Sequence, residues 1–179
     1  VMAVVNSADL DVAEIAHGLD LQSFGLEEQD LRELKKLFEN ATTLGSLIQV
    51  PESLGSKIPA LWKLSNESSG RIFVDKALEY LKPLVQQADT LGQRYDNVLA
   101  NPPYMGRKYQ TALLKKFLKS HYKGFDKDFF SAFIIRNYQL CKPAGRAGFM
   151  TPMVWMFISS HEALRESILS RRTLGSLIQ

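Results

Sequence analysis

The chain predicts an α/β fold built on a wound parallel sheet, and three observations carry that reading. Short β-type apolar runs alternate with helical periodicity in the order strand, helices, strand, helix, strand. The strand at 95–100 runs straight into Asn101-Pro102-Pro103-Tyr104, a rigid turn at the place where open α/β sheets bind their ligands, beyond the carboxyl ends of strands. The length of 179 residues, with 45% hydrophobic and 23% charged, suits a globular chain with a sizeable core.

The elements follow in order. The first 20 residues are ambiguous, with a helix expected from Asp11. Between Glu27 and Asn40, Leu31, Leu34, Leu37 and Phe38 fall on one helical face. Residues 43–50 read as a short extended or loop segment. Residues 51–70, with Pro51, Gly55, Pro59, Ser65, Ser68, Ser69 and Gly70, read as a connector. Phe73, Val74, Ala77, Leu78 and Leu81 make an amphipathic helix that Pro83 should kink or end.

After the strand at 95–100, Leu113, Leu114, Phe117 and Leu118 mark a lysine-bearing helix. Phe129, Phe130, Phe133, Ile134, Tyr138 and Leu140 mark the next. It should stop before Lys142-Pro143-Ala144-Gly145, with Gly145 as the helix-to-strand turn. Ala147–Thr151 reads as a strand closed by Pro152. Ser159 and Glu162 have capping-box spacing ahead of a helix holding Leu164, Ile168 and Leu169. Leu174–Ile178 reads as a final strand. The organisation is a helical and connector region over 1–70, followed by a sheet-bearing region over 71–179.

Charge divides the chain. Residues 1–100 carry 9 Lys+Arg against 15 Asp+Glu, a net of −6, while residues 101–179 carry 13 against 4, a net of +9. From 104 to 127, Arg107, Lys108, Lys115, Lys116, Lys119, Lys123 and Lys127 face only Asp126 as a counter-charge. Such a run is either a solvated helix face or a phosphate-contacting patch, and in the second case binding falls steeply with salt.

Several classes are excluded or disfavoured. Cys141 is the only cysteine, so no intrachain disulfide can form, and a buried thiol in a reducing cytoplasm fits. His17, His121 and His161 lack metal-ligand spacing, and no metal is expected. No apolar run approaches the roughly 18 residues that cross a bilayer, and no basic segment precedes an apolar one at the N-terminus. The chain reads as soluble and unsecreted.

The turn at 101–104 suits chemistry on a planar amino group. The lone pair of an exocyclic aromatic amine is delocalised into its ring and attacks an electrophile poorly unless acceptors draw its N–H bonds out of plane. Asn101 offers a side-chain carbonyl and Pro102 a backbone one. Each proline fixes φ near about −65° and keeps the preceding residue out of the α region, so Pro103 locks the turn and both acceptors are aimed by the backbone. Tyr104 can stack on a flipped base, worth roughly 1–3 kcal/mol in other base-binding sites. Asn101 has no ionisable group, so it orients and polarises without taking the proton. The alternative is that Asn-Pro-Pro-Tyr is structural punctuation only.

These residues resemble the catalytic motif of amino-directed methyltransferases, above all the adenine-specific DNA methyltransferases. The context, Met105-Gly106-Arg107-Lys108, Asp128-Phe129-Phe130-Ser131-Ala132-Phe133-Ile134 and Gly145-Arg146-Ala147-Gly148-Phe149-Met150-Thr151-Pro152, is similar to the large phage-defence methyltransferases of the BREX (PglX-like) type. It also resembles fused restriction-modification enzymes. The likeness is strongest over 95–179; before that, Leu44-Gly45-Ser46-Leu47-Ile48 ahead of a proline is the main matching piece.

The resemblance implies a Rossmann-like sheet with flanking helices, S-adenosylmethionine as donor and double-stranded DNA with a flipped adenine as substrate. Other defence-system subunits are implied as partners. Asn101, Pro102, Pro103 and Tyr104 would be catalytic, with Asn101 also at the cofactor. Tyr104, Arg107, Lys108 and Phe129 would contact substrate. Against the last, phenylalanines at helical spacing also read as core.

Protein-glutamine methyltransferases carry the same tetrapeptide, so a glutamine or RNA methyltransferase is the first alternative and a non-catalytic interaction module the second. The family pattern also calls for an earlier strand ending in a glycine-rich turn, where the donor approaches bare backbone. That turn is absent; the pair Gly145 and Gly148 enters a strand instead of leaving one. The 179 residues are therefore expected to be the catalytic half of a larger enzyme, inactive alone. The heptapeptide Thr-Leu-Gly-Ser-Leu-Ile-Gln occurs at 43–49 and again at 173–179, too few copies for a solenoid.

Overall fold

Asp11 opens the first helix by accepting from the amides of Ala13 and Glu14, so that two of the helix's unpaired N–H groups are satisfied. The computed structural model describes residues 3–178 and divides into two units, 1–93 and 94–179.

The first unit is helical. It contains α1 (Val12–Gly18), α2 (Glu28–Leu37), α3 (Ala41–Leu44), α4 (Glu52–Gly55), α5 (Ile58–Ser65) and α6 (Ile72–Gly92). The α6 helix has 21 residues, about 30 Å at 1.5 Å per residue, and it packs against α1, α2, α4 and α5. Ile15, Leu31, Leu34, Phe38, Leu61, Leu64, Leu81 and Val85 are fully buried. Gly18 is required by the contact of α1 with α6: a Cβ there would lie 2.4 Å from Val74 Cγ2. Gln87, also fully buried, is satisfied by one backbone unit, donating through Nε2 to Val5 O while Oε1 accepts from Val5 N.

Three expectations for this unit are corrected. Pro83 does not end its helix, since α6 runs on to Gly92. The carbonyl that Pro83 leaves unpaired belongs to exposed Glu79, where water can take it, while buried Leu81, Leu84, Val85 and Ala88 hold the next turn down. Residues 51–70 are not a connector but two helices: Pro51 precedes α4, and Pro59 sits in the first turn of α5, where a missing N–H costs nothing. Residues 43–50 fold into the end of α3 and a 3₁₀ turn over Gly45–Leu47, with Leu47 and Ile48 buried.

The second unit holds β1 (Tyr95–Ala100), α7 (Ala112–His121), α8 (Phe129–Leu140), β2 (Cys141–Phe149) and α9 (Glu162–Arg171). The strands pair in parallel, Asn97 with Arg146, Val98 with Ala147, Leu99 with Gly148 and Ala100 with Phe149; Met150 N extends the ladder to Ala100 O at 3.0 Å. Phe130, Ile134, Leu164 and Ile168 form a core between α8 and α9, with Phe149 and Trp155 packed against it. Buried Cys141 has a thiol held above its ordinary pKa by burial, and Sγ lies 3.7 Å from Arg146 O. Among the described residues, no helix is long and apolar enough to cross a membrane.

Here too the boundaries move. The strand expected at Ala147 begins at Cys141 with no turn after α8, and Gly145 lies inside it. Tyr95 pairs with Cys141 and Asn97 with Arg146, so five residues of β2 advance against two of β1. Ala144 takes the positive φ of this bulge, 63°. Gly145 is needed for space instead: its Cβ would lie 3.0–3.1 Å from the carbonyl oxygens of Lys142, Asp96 and Tyr95. The Lys142 ammonium spans the bulge to Asp96 at 2.9 Å.

At α9, Ser159–His161 forms a 3₁₀ turn and His161 is the N-cap without a side-chain cap bond, so the expected capping box does not form. The expected strand at Leu174–Ile178 is irregular and exposed, because no described strand lies alongside to pair with it. The observed sheet therefore has two strands among the described residues, and the last residue of the second heptapeptide, Gln179, lies outside them.

Candidate active site

β1 delivers the motif as expected. Asn101 follows the strand and is exposed, Pro102 is buried, and Pro103 and Tyr104 are exposed, with Tyr104 at 55%. Neither the Asn101 amide nor the Pro102 carbonyl is hydrogen-bonded among the described residues. Two hydrogen-bond acceptors on a proline-stiffened turn are thus unpaired, the Asn101 one on an exposed residue and the Pro102 one on a buried residue.

The turn is fastened on both sides. Ala100 O accepts from Met150 N ahead of it; after it, Met105 O accepts from Phe129 N at 3.1 Å and from Gln110 Nε2 at 3.4 Å. Gly106 forms an antiparallel bridge with Asp128. Arg107 and Lys108 follow in an exposed 3₁₀ turn, and the Lys108 ammonium stands 5.9 Å from the centre of the Tyr109 ring.

Thr111 caps α7 by accepting from Leu114 N at 3.2 Å. Leu114 and Leu118 bury one face, leaving Lys116 and Lys119 exposed, Lys115 half-buried, and Lys123 and Lys127 exposed beyond the helix. None of these lysines, nor Arg107, forms an ion pair among the described residues.

Phe129 is placed differently from the rest. It is only 6% exposed and meets Phe133 edge-on, ring centres 4.9 Å apart. Its backbone N–H reaches the motif loop at Met105 O.

Sequence reasoning missed four residues here. Tyr109 is a second exposed aromatic, at 74%, and sits in the same loop as Tyr104; an aromatic beside two cations was the available signal. Asp128, Ser131 and His161 form a cluster behind the loop. His161 Nε2 lies 3.6 Å from Asp128 Oδ2, its Nδ1 lies 3.2 Å from Ser131 Oγ, and its ring meets Phe130 with centres 5.2 Å apart. Burial holds His161 below its ordinary pKa, opposed by Asp128 and aided by Arg165. Burial raises Asp128, opposed by His161. For both, desolvation outweighs mutual attraction, so burial disfavours the charged form of each. Nothing in the spacing of 128, 131 and 161 announces this cluster.

Gly145 and Gly148 do not open a cradle. The Cβ positions of the two are filled by backbone carbonyls and by Leu99 Cδ2, the latter at 2.8 Å. Among the described residues, no group of three His, Cys, Asp or Glu side chains is placed to hold a metal ion.

Comparison with known proteins extends the geometry. Residues 18–179 match the model of the Eco57I restriction-modification methylase family. The chain is 42% identical over 141 residues to the adenine-specific methyltransferase BrxX of Escherichia coli O9:H4 (strain HS), covering 76% of this chain and 12% of that protein. It is 28% identical over 150 residues to the adenine-specific methyltransferase PglX of Lacticaseibacillus casei (strain Zhang), covering 81% and 12%. It is 29% identical over 156 residues to the type II restriction enzyme and methyltransferase RM.Eco57I of Escherichia coli, covering 81% and 15%. The chain thus spans between 12% and 15% of the length of these relatives. The expected kinship with adenine-specific, BREX-type and restriction-modification methyltransferases is met.

Proposed function

This chain belongs to the Eco57I restriction-modification methylase family, and on that footing we propose that it carries the catalytic turn of a site-specific DNA adenine-N6 methyltransferase acting in phage defence or restriction-modification. The observation that carries the reading is the pair of unpaired acceptors at Asn101 and Pro102, on a turn locked by Pro103 and pinned at Met105 and Gly106.

In this reading the Asn101 side-chain oxygen and the Pro102 carbonyl each accept one N–H of the target amine. Drawing both bonds out of the ring plane returns lone-pair density to nitrogen. Tyr104 stacks on the flipped adenine, and Arg107, Lys108 and the α7 lysines contact phosphates of double-stranded DNA. Phe129 contributes by fixing the loop from the core side. The relatives that carry the adenine-specific name and the chain's basic second half support DNA over a glutamine side chain.

S-adenosylmethionine is the methyl donor this family implies, with Asn101 as the described residue nearest in role to it. Among the described residues, Gly145 and Gly148 do not build a cradle for it, since both are packed shut. Its binding falls to other parts of the whole protein, and the 179 residues alone are inactive. The compartment is the cytoplasm, and other defence-system subunits are partners of the whole protein.

The test is adenine methylation of host DNA, read at single-base resolution, in cells carrying the whole protein intact or with Asn101→Ala. Methylation at one defined motif that vanishes in the variant is expected. Identical genomic DNA in the two strains would overturn the DNA reading in favour of a glutamine, RNA or non-catalytic role.

A further inference from the structure

We propose that His161 is a positioning residue for the Asn101 turn, acting through Asp128; the inference rests on the catalytic reading of Asn101 given above.

The contacts form a short chain. Asp128 stands at the N-terminus of α8, pairs its backbone with Gly106, and is followed at once by Phe129, whose amide holds Met105 O at 3.1 Å. Gly106 also lies against the Asp128 side chain: a Cβ on Gly106 would sit 3.5 Å from Oδ1. Between Asn101 and Met105 there are three residues, two of them proline, so little rotational slack separates the pinned point from the amide. Whatever sets Asp128 sets the turn.

His161 is the group facing the Asp128 carboxylate from α9. It is 2% exposed, and Nε2 is buried with no hydrogen-bond partner, 3.6 Å from Asp128 Oδ2. Ser131, one turn along α8, stands at Nδ1. If the Ser131 hydroxyl donates to Nδ1, the ring proton resides on Nε2 and points at the carboxylate, the only tautomer that meets an acceptor on that side. A buried donor 3.6 Å from a half-buried carboxylate favours one direction for it by electrostatic attraction, and the second ring nitrogen, tied to the same helix, keeps the imidazole from turning. A core histidine that merely filled space would need neither contact.

The experiment compares whole-protein variants in single-turnover DNA methylation at saturating DNA and S-adenosylmethionine, with DNA Kd and the unfolding midpoint measured alongside. His161→Phe keeps the ring volume and removes the donor. The rate is expected to fall about 10-fold or more, with Kd within about twofold, because a displaced amide slows the reacting geometry and not the encounter. His161→Gln, which can still donate, should recover most of the rate. Asp128→Ala should cost about as much as His161→Phe, and the double variant no more than either alone.

A His161→Phe rate within twofold of wild type overturns the proposal, as does a loss fully matched by weaker binding or by unfolding. Should His161→Phe fail to fold, Asp128→Ala carries the same comparison with His161→Gln. Asn101→Ala in the same assay separates the two readings. If it leaves the rate unchanged, the catalytic reading fails; if it abolishes the rate while His161→Phe stays within twofold of wild type, positioning alone fails.

Discussion

The Phe129 amide donates to the Met105 carbonyl across 3.1 Å, joining the first residue of α8 to the chain one residue past the Asn-Pro-Pro-Tyr turn. The Phe129 ring packs edge-on against Phe133, and its backbone N–H ties α8 to the loop. The loop is therefore referenced to a helix whose other side packs against α9, so its position follows the core and not the solvent.

Tyr104 is exposed, and if it stacks on the target base its ring is what matters. Tyr104→Ala should weaken methylation by the equivalent of about 1–3 kcal/mol, while Tyr104→Phe retains most of it. Equal activity of the alanine variant in a kcat/KM comparison would remove Tyr104 from the site.

The unpaired lysines of α7 should register in salt dependence. Replacing Lys115, Lys116 and Lys119 with Gln is expected to make log K fall less steeply with log salt, by roughly 0.9 for each phosphate no longer neutralised, with little change in sequence preference. Fluorescence anisotropy on duplexes across a salt series measures it; an unchanged slope would make the run a solvated face.

Burial keeps His161 neutral in the folded protein, so its folded pKa lies below the ordinary 6.5. The unfolded chain then binds more protons in that window, and stability falls as pH drops from 6.5 toward the lowered value. His161→Gln should flatten the difference in urea midpoint between about pH 7.5 and 5.5. The Asp128 contribution has the opposite sign and survives in the variant: its raised pKa makes stability fall as pH rises from the ordinary 3.8 toward the raised value.

Gly145→Ala should destabilise the second unit by about 1–3 kcal/mol, since the new Cβ meets three backbone carbonyls and none is the free end of a side chain. Chemical denaturation of the whole protein reads it; a variant as stable as wild type would show that the bulge can open.

Pro83→Ala should stabilise the first unit by about 1–3 kcal/mol, by restoring the hydrogen bond to Glu79. A lower midpoint would mean that the ring packs more usefully than the missing bond costs.

The parts legible in sequence were those fixed by local chemistry. β1, α2, α7 and α8 followed apolar spacing, Asp11 marked the start of α1, and Asn101-Pro102-Pro103-Tyr104 specified both turn and family. What escaped was set by distant partners. Pro83 reads as a breaker until the buried residues around it are known, and the prolines of 51–70 read as loop until their first-turn positions appear. Leu174–Ile178 has strand composition but no described strand to pair with. His161 joins Asp128 and Ser131 across 30 or more residues, a separation that no periodicity encodes.

The bulge at 142–145 also changes the alternation frame of β2. Tyr95 and Asn97 are two residues apart and share a face, whereas their partners Cys141 and Arg146 are five apart, an odd number. Beyond the bulge, odd-numbered positions of β2 take the side that even-numbered ones would otherwise hold. The strand thus consists of two half-strands written in opposite phase, and an insertion or deletion of one residue between 142 and 145 can be absorbed there without turning Ala147, Gly148 and Phe149 over.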